Sequence, residues 1–218
     1  MKGVFNLATT ALLVAACAHD TGANMARDAT QSDREVETQL ALAESPIGGG
    51  PHARERERAA QWLVEHADRA YPAVLGRFDQ GRAGAALVEL LPRFDREESI
   101  PRLERLLSGP EPPAWAAGQA LARQSQPAAG EALRRALDHA DPKVATIAAD
   151  GLGARGDRAD CTALVAHVAS TDARLRYHVV QAAGRLGCLA RADLESLSHD
   201  DADDDVRALA TRLLSEMR

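Results

Sequence analysis

Apolar residues of this chain recur every 31 positions. Ala59, Leu90, Leu121, Leu152, Ala183 and Leu214 form one column, and Ala86, Ala117, Ala148, Val179 and Ala210 form a second, four residues earlier in each unit. A separation of four puts both columns on one face of a helix. A third column runs through Leu75, Leu106, Leu137 and Val168, and a fourth, Asp79, Pro110, Asp141, Asp172 and Asp203, falls just before the first helix of successive units. Columns sharing one register demand a repeated supersecondary unit rather than a single irregular core.

A 31-residue unit accommodates two helices of about a dozen residues and leaves about seven for two short connections. Gly81, Gly109, Gly156 and Gly187 sit at or near those connections. The aspartate column supplies carboxylates that can accept from the free N–H groups at a helix start. The spacing predicts helices over about 142–154 and 158–169 in one unit, and about 173–186 and 191–198 in the next. A helix pair cannot bury its own apolar stripe, so neighbouring pairs must stack. The expected fold is all-α, a right-handed α-solenoid of about five helix pairs over residues 51–218.

The segments Asp141-Pro142-Lys143-Val144 through Gly151-Leu152-Gly153, and Asp172-Ala173-Arg174-Leu175 through Ala182-Ala183-Gly184-Arg185-Leu186-Gly187, resemble HEAT repeats of the short, phycobilin-lyase-like class. The resemblance spans about residues 51–218 and is strongest from 112 onward. It weakens in the first unit, where Glu55 and Arg58 occupy positions that are apolar later. Tetratricopeptide repeats have a longer period of about 34 residues. Solenoid lyases of the resembled class act on bilin chromophores, but the resemblance carries no catalytic residue onto this chain.

The N-terminus has a different character. Met1-Lys2 precedes an apolar stretch from Val4 to Ala16, too short to span a bilayer as a helix, and Val14-Ala15-Ala16-Cys17 follows the pattern of a lipobox. The segment resembles bacterial lipoprotein signals. That resemblance implies removal of residues 1–16 and acylation of Cys17, and Ala18 in place of Asp implies an outer-membrane destination with a periplasmic or surface-exposed domain. Residues 17–50 then carry the lipidated cysteine, a polar tether over 18–31 and a short helix over 32–43. In that helix Ser32 and Glu35 have capping-box spacing, and Val36, Leu40 and Ala43 share a face. The run from Ser45 to Pro51 ends it.

Composition narrows the function classes. Lys plus Arg number 26 against 32 Asp plus Glu, a net charge of −6, which argues against a nucleic-acid partner and against binding to anionic lipid by charge. No phosphate loop, dinucleotide fingerprint, His-Glu-x-x-His or nucleophile elbow occurs, so neither an enzyme nor a cofactor is expected. Within the acidic run Asp200 to Asp205, Asp201, Asp203 and Asp205 have the spacing of the first EF-hand ligands. Val206 replaces the required Gly, however, and Arg212 the bidentate Glu. The seven histidines form no spaced ligand pair, and no metal is expected.

The remaining candidates concern contacts. Cys161 opens the second helix of its unit, and Cys188 lies four residues before the equivalent position. A turn at Gly187 would bring them within the ~7 Å that a disulfide needs between Cα atoms; without it they are two boundary thiols. Trp115 and Tyr177 share a repeat position with Thr146 between them, and that column is expected to face away from the core as a partner surface. Arg102, Arg105, Arg134 and Arg135 fall on second helices, where they either meet an acidic partner or pair with carboxylates such as Glu104 and Glu131. Arg176 and Arg207, with Asp172 and Asp203, are expected to form an inter-repeat polar ladder. The reading is of a membrane-anchored, non-catalytic module that binds or scaffolds an as yet unidentified protein, with a lyase-like enzyme or small-ligand carrier as the alternative.

Overall fold

The computed structural model describes residues 28–45, 51–109 and 113–217. The expected signal peptide, Cys17 and Pro110 lie outside the described residues. The chain divides into two units, one ending at Ala73 and the other beginning at Val74.

In the first unit, α1 covers residues 28–43 and α2 covers Pro51–Glu65, while α3, Ala67–Asp79, carries the boundary. Val36, Leu40 and Ala43 of α1 are buried, as are Ala59 and Leu63 of α2. Two expectations are corrected. Residues 28–31, read as tether, are helical, and Ser32 stands inside α1 rather than capping it. Nothing in Asp28-Ala29-Thr30-Gln31 breaks a helix, and the Ser32 hydroxyl accepts a hydrogen bond from Arg69 instead of capping. Trp62 stacks on His66 one turn later, with ring centroids 4.0 Å apart, and the Arg69 guanidinium lies 5.8 Å from the Trp62 ring centroid.

The second unit holds α4 (Ala85–Phe94), α5 (Ile100–Leu107), α6 (Pro113–Arg123), α7 (Pro127–Leu137), α8 (Pro142–Arg155), α9 (Cys161–Ala166), α10 (Ala173–Leu186), α11 (Arg191–Asp200) and α12 (Asp204–Glu216). The first helices of successive repeats, α4, α6, α8, α10 and α12, pack each on the next in one layer. Of the second helices, α5 packs on α7, while α9 packs on α10 and α11 on α12. The 31-residue columns become the seam between first and second helices: Leu90, Leu121, Leu152 and Ala183, and likewise Ala117, Ala148, Val179 and Ala210, are buried. Ala86 departs from its column and is exposed, because α4 begins at Ala85 and its inward stripe is supplied by Leu87, Val88 and Leu91.

Helix ends follow the aspartate column where it precedes a helix. Asp141 accepts from the Lys143 N–H at 2.9 Å, Asp172 from the Leu175 N–H at 2.8 Å, and Asp203 from the N–H groups of Asp205 and Val206 at 3.0 and 3.1 Å. Asp79 does not cap, since it ends α3. At the C-terminal ends of α8 and α10, Gly156 and Gly187 take φ values of 77° and 67°, the left-handed turn that closes a helix most cheaply with glycine. The helix expected over 158–169 is shorter. A 3₁₀ turn, Arg158–Asp160, capped by Asp157, precedes α9, and hydrogen bonds reaching three residues back tighten the chain at His167, Val168 and Ser170.

Small residues set the spacing of the first layer. A Cβ built on Gly153 would lie 2.8 Å from Ala182 Cβ and 3.0 Å from its Cα, and one on Gly184, a full 31-residue repeat later, would lie 2.6 Å from Leu213 Cδ1. Gly153→Ala is therefore expected to destabilise by about 1–2 kcal/mol. Overpacking costs about 1–3 kcal/mol and outweighs the helix-propensity gain of about 1 kcal/mol. Urea denaturation measures the balance; a rise in midpoint would show that α8 and α10 do not approach this closely.

Candidate functional site

Trp115 lies in the first turn of α6 between Ala114 and Ala116, which are buried, while its own side chain is 56% exposed. The column it was expected to head does not continue outward. Thr146 is only 4% exposed, because α8 is covered by α6, α7 and α10. Tyr177 is half-buried, with its ring edge-on to His178 at 5.6 Å. Among the described residues Trp115 thus stands as a single outward aromatic, not as one end of a stripe.

Three of the four candidate arginines are committed within the chain. Arg102 grips Asp79 with Nε at 2.9 Å and Nη2 at 2.6 Å, and donates from Nη1 to the Glu98 carbonyl. That guanidinium holds the Asp79 carboxyl below the usual carboxylate range. Arg135 makes the same two-pronged contact with Glu104, at 2.9 Å for both bonds and 31 residues away. Arg134 pairs with Asp160, whose side chain is fully buried and whose Oδ2 has no partner among the described residues. Burial pushes the Asp160 carboxyl up, with Arg134 opposing. Arg105 is exposed and borders a cavity of about 180 Å³ together with Phe78, Arg102 and Leu106.

The polar ladder keeps the expected Arg176 and Arg207 but not the expected carboxylates. Asp172 and Asp203 are occupied as caps, so Arg176 turns to Asp201, with Nη2 to Oδ1 at 2.7 Å and Nε to Oδ2 at 3.0 Å. Arg176 also donates to the Ser170 carbonyl at 2.8 Å. This guanidinium keeps Asp201 below the ordinary carboxylate range. Arg207 donates to the Asp201 carbonyl at 2.6 Å and pairs with Asp204. One repeat earlier, Arg155 donates to the carbonyls of Gln124 and Gln126 at 2.6 and 3.1 Å.

Asp95, which sequence reading did not single out, belongs to this ladder. Its carboxylate accepts from the Ser125 N–H at 2.9 Å and the Ser125 hydroxyl at 2.5 Å, and these bonds hold it below the usual range. The available signal was the spacing of 30 residues between two polar positions. His178 and His167 reach back similarly, to Asp150 at 2.7 Å and Asp138 at 3.1 Å.

Cys161 and Cys188 are joined in a disulfide with Cα atoms 5.3 Å apart, across the turn at Gly187. Beside it, an open groove of about 580 Å³ runs between α9 and α11. Among the described residues no three His, Cys, Asp or Glu side chains converge as a metal site, and no helix is long and apolar enough to cross a membrane. The arrangement is suited to presenting helix faces and grooves, with the pairs Arg102–Asp79, Arg134–Asp160, Arg135–Glu104 and Arg176–Asp201 holding its helices together.

Comparison with known proteins gives a family match. A model of HEAT repeats matches residues 101–184 and again 131–215. Among solved structures, the chain is similar to human deoxyhypusine hydroxylase in complex with glycerol, at 15% identity and a TM-score of 0.41, over 86% of this chain and 97% of that one. No curated protein matches.

Proposed function

Since the chain belongs to the HEAT-repeat family, whose repeats match more than half of it, we propose that it is a non-catalytic docking module for a protein partner, held at a bacterial envelope by acylated Cys17. The observation that carries the docking reading is Trp115. An indole 56% exposed between two buried alanines contributes little to the fold from that position, and exposed aromatics of this kind anchor protein interfaces. Supporting it, Arg102, Arg134 and Arg135 are already paired within the chain, which weakens the case for recognition through those arginines. The net charge of −6 disfavours nucleic acid.

The anchoring part rests on the Val14-Ala15-Ala16-Cys17 motif. Several acyl chains, at about 0.8 kcal/mol per buried CH₂, retain a folded domain at a membrane without a spanning helix. Ala18 after the cysteine favours the outer membrane, with the repeats facing the periplasm or the exterior.

Affinity capture from native envelope extract with residues 20–218 tests the docking part. A stoichiometric protein is expected on the wild type, reduced at least about tenfold on Trp115→Ala; equal recovery on both would remove Trp115 from the interface. For the anchor, the full chain is expected in the detergent phase and Cys17→Ser in the aqueous phase. A Cys17→Ser protein that stays in detergent would contradict lipidation.

A further inference from the structure

The groove between α9 and α11 is built unlike the contact between the preceding second helices. There α5 packs on α7, so the second helices close on each other. α9 ends after six residues at Ala166, and its Val165, with Val168 and Ala169 of the turn that follows, lines an open groove together with Leu189 and Leu197. Val165 is 42% exposed.

Two ties hold the walls of this groove. The Cys161–Cys188 disulfide joins the start of α9 to the turn before α11. At the other end, Arg176 near the start of α10 is bonded to Asp201 just after α11. A groove fixed in this way loses little freedom when it is filled.

The charge at its rim is one-sided. Arg176 is the only cation lining it and is neutralised by Asp201. Asp193 and Asp200 remain, both exposed; Asp193 accepts from the Ala190 N–H and Asp200 from the Ser196 hydroxyl, neutral donors both. An apolar floor with uncompensated carboxylates on one wall is complementary to a chain segment with apolar side chains on one face and Lys or Arg beside them.

We infer that this groove is the docking site for a basic amphipathic segment of a partner protein. The inference rests on the docking reading above and gives that reading a surface and a partner chemistry. A groove open along its length suits an extended or helical segment, and its carboxylates repel anionic lipid.

The probe is a synthetic peptide of Leu and Lys with Leu at helical i, i+3, i+4 and i+7 positions, set against a counterpart with Glu for every Lys. Each is titrated by fluorescence anisotropy into the full chain in nonionic detergent. The Lys peptide is expected to bind and the Glu peptide not to. Affinity is expected to fall about five- to tenfold in Asp193→Asn/Asp200→Asn, which removes charge but keeps both acceptors, and about tenfold in Val165→Lys. Trp115→Ala is expected to bind the peptide as the wild type does. Added salt is expected to weaken the wild type more than the double Asn variant.

Far-UV circular dichroism shows whether each variant is folded. The Asn pair, being nearly isosteric, tests the groove even if Val165→Lys does not fold. Absence of binding by the Lys peptide, or binding indifferent to both the charge and the Val165 variants, would overturn the inference. Should a partner be captured equally by wild type and groove variants, the groove falls and the docking reading stands. Groove-dependent peptide binding with no partner captured would uphold the groove and count against the docking reading.

Discussion

Reducing the Cys161–Cys188 disulfide is expected to lower the stability of the chain by about 3 kcal/mol, the scale for a cross-link closing a loop of this size. The loop is 27 residues in sequence. It contains α10 and the whole approach to α11, so its loss frees much of one repeat in the unfolded chain. For a domain of this length about 2–4 °C accompanies each kcal/mol, giving a melting temperature lower by about 6–12 °C. The effect should concentrate in α9, whose six residues give it little helical stability of its own. Amide exchange over residues 161–170 is expected to accelerate before that in α8 or α10. Calorimetry with and without reductant measures the first effect; coincident melting curves would show that the bond does not support the fold.

The second large effect is expected at Arg176. Arg176 and Asp201 have side chains only 12% and 6% exposed. Arg176→Met would leave the Asp201 carboxylate without its bonded counter-charge where water reaches it poorly, with only the weaker pull of Arg207 remaining. Removing one partner of such a pair costs about 3 kcal/mol or more, and here it also frees the turn between α11 and α12.

The pH dependence has a definite sign. The folded Asp201 carboxyl lies below its ordinary value because of Arg176, so the folded state binds its proton less readily than the unfolded chain does. The resulting stability is fully present above about pH 4 and is lost as pH falls through the lowered folded value. The gap between wild type and Arg176→Met should therefore be widest near neutrality and narrow in acid. Urea denaturation across that range measures it, and a gap independent of pH would assign the loss to packing of the arginine stem.

What was legible in the sequence depended on whether a feature repeats locally. The bounds 173–186 predicted for α10 are those observed, because Asp172 caps one end and Gly187 turns the chain at the other. Pairing of the second-helix arginines with carboxylates such as Glu104 was one of the two options the sequence left open, and Arg135 takes it up 31 residues away. The pairing of Arg134 with Asp160 was not legible, since that contact depends on a 3₁₀ turn displacing the start of α9. The helix expected to reach 169 ends at Ala166 because hydrogen bonds reaching three residues back tighten the chain at His167, Val168 and Ser170.

Thr146 shows the limit of helical-wheel reasoning. An angle of about 200° from a core position predicts exposure only if nothing packs on that face, and α8 has neighbours on several. Asp79 shares the column of Asp141 and Asp172 but ends a helix instead of preceding one, so it holds Arg102 rather than capping. Trp115, by contrast, was found from its place in the repeat alone, since at α6 its face is left uncovered.

The measurement that bears most directly on the docking account is amide hydrogen exchange of residues 20–218, alone and with the protein captured from native envelope. The account predicts new protection at the N-terminal turn of α6 around Trp115 and along α9 and α11, with the buried seam between first and second helices unchanged. Protection confined to residues 20–50, or absent throughout, would contradict it and leave the repeats as a spacer.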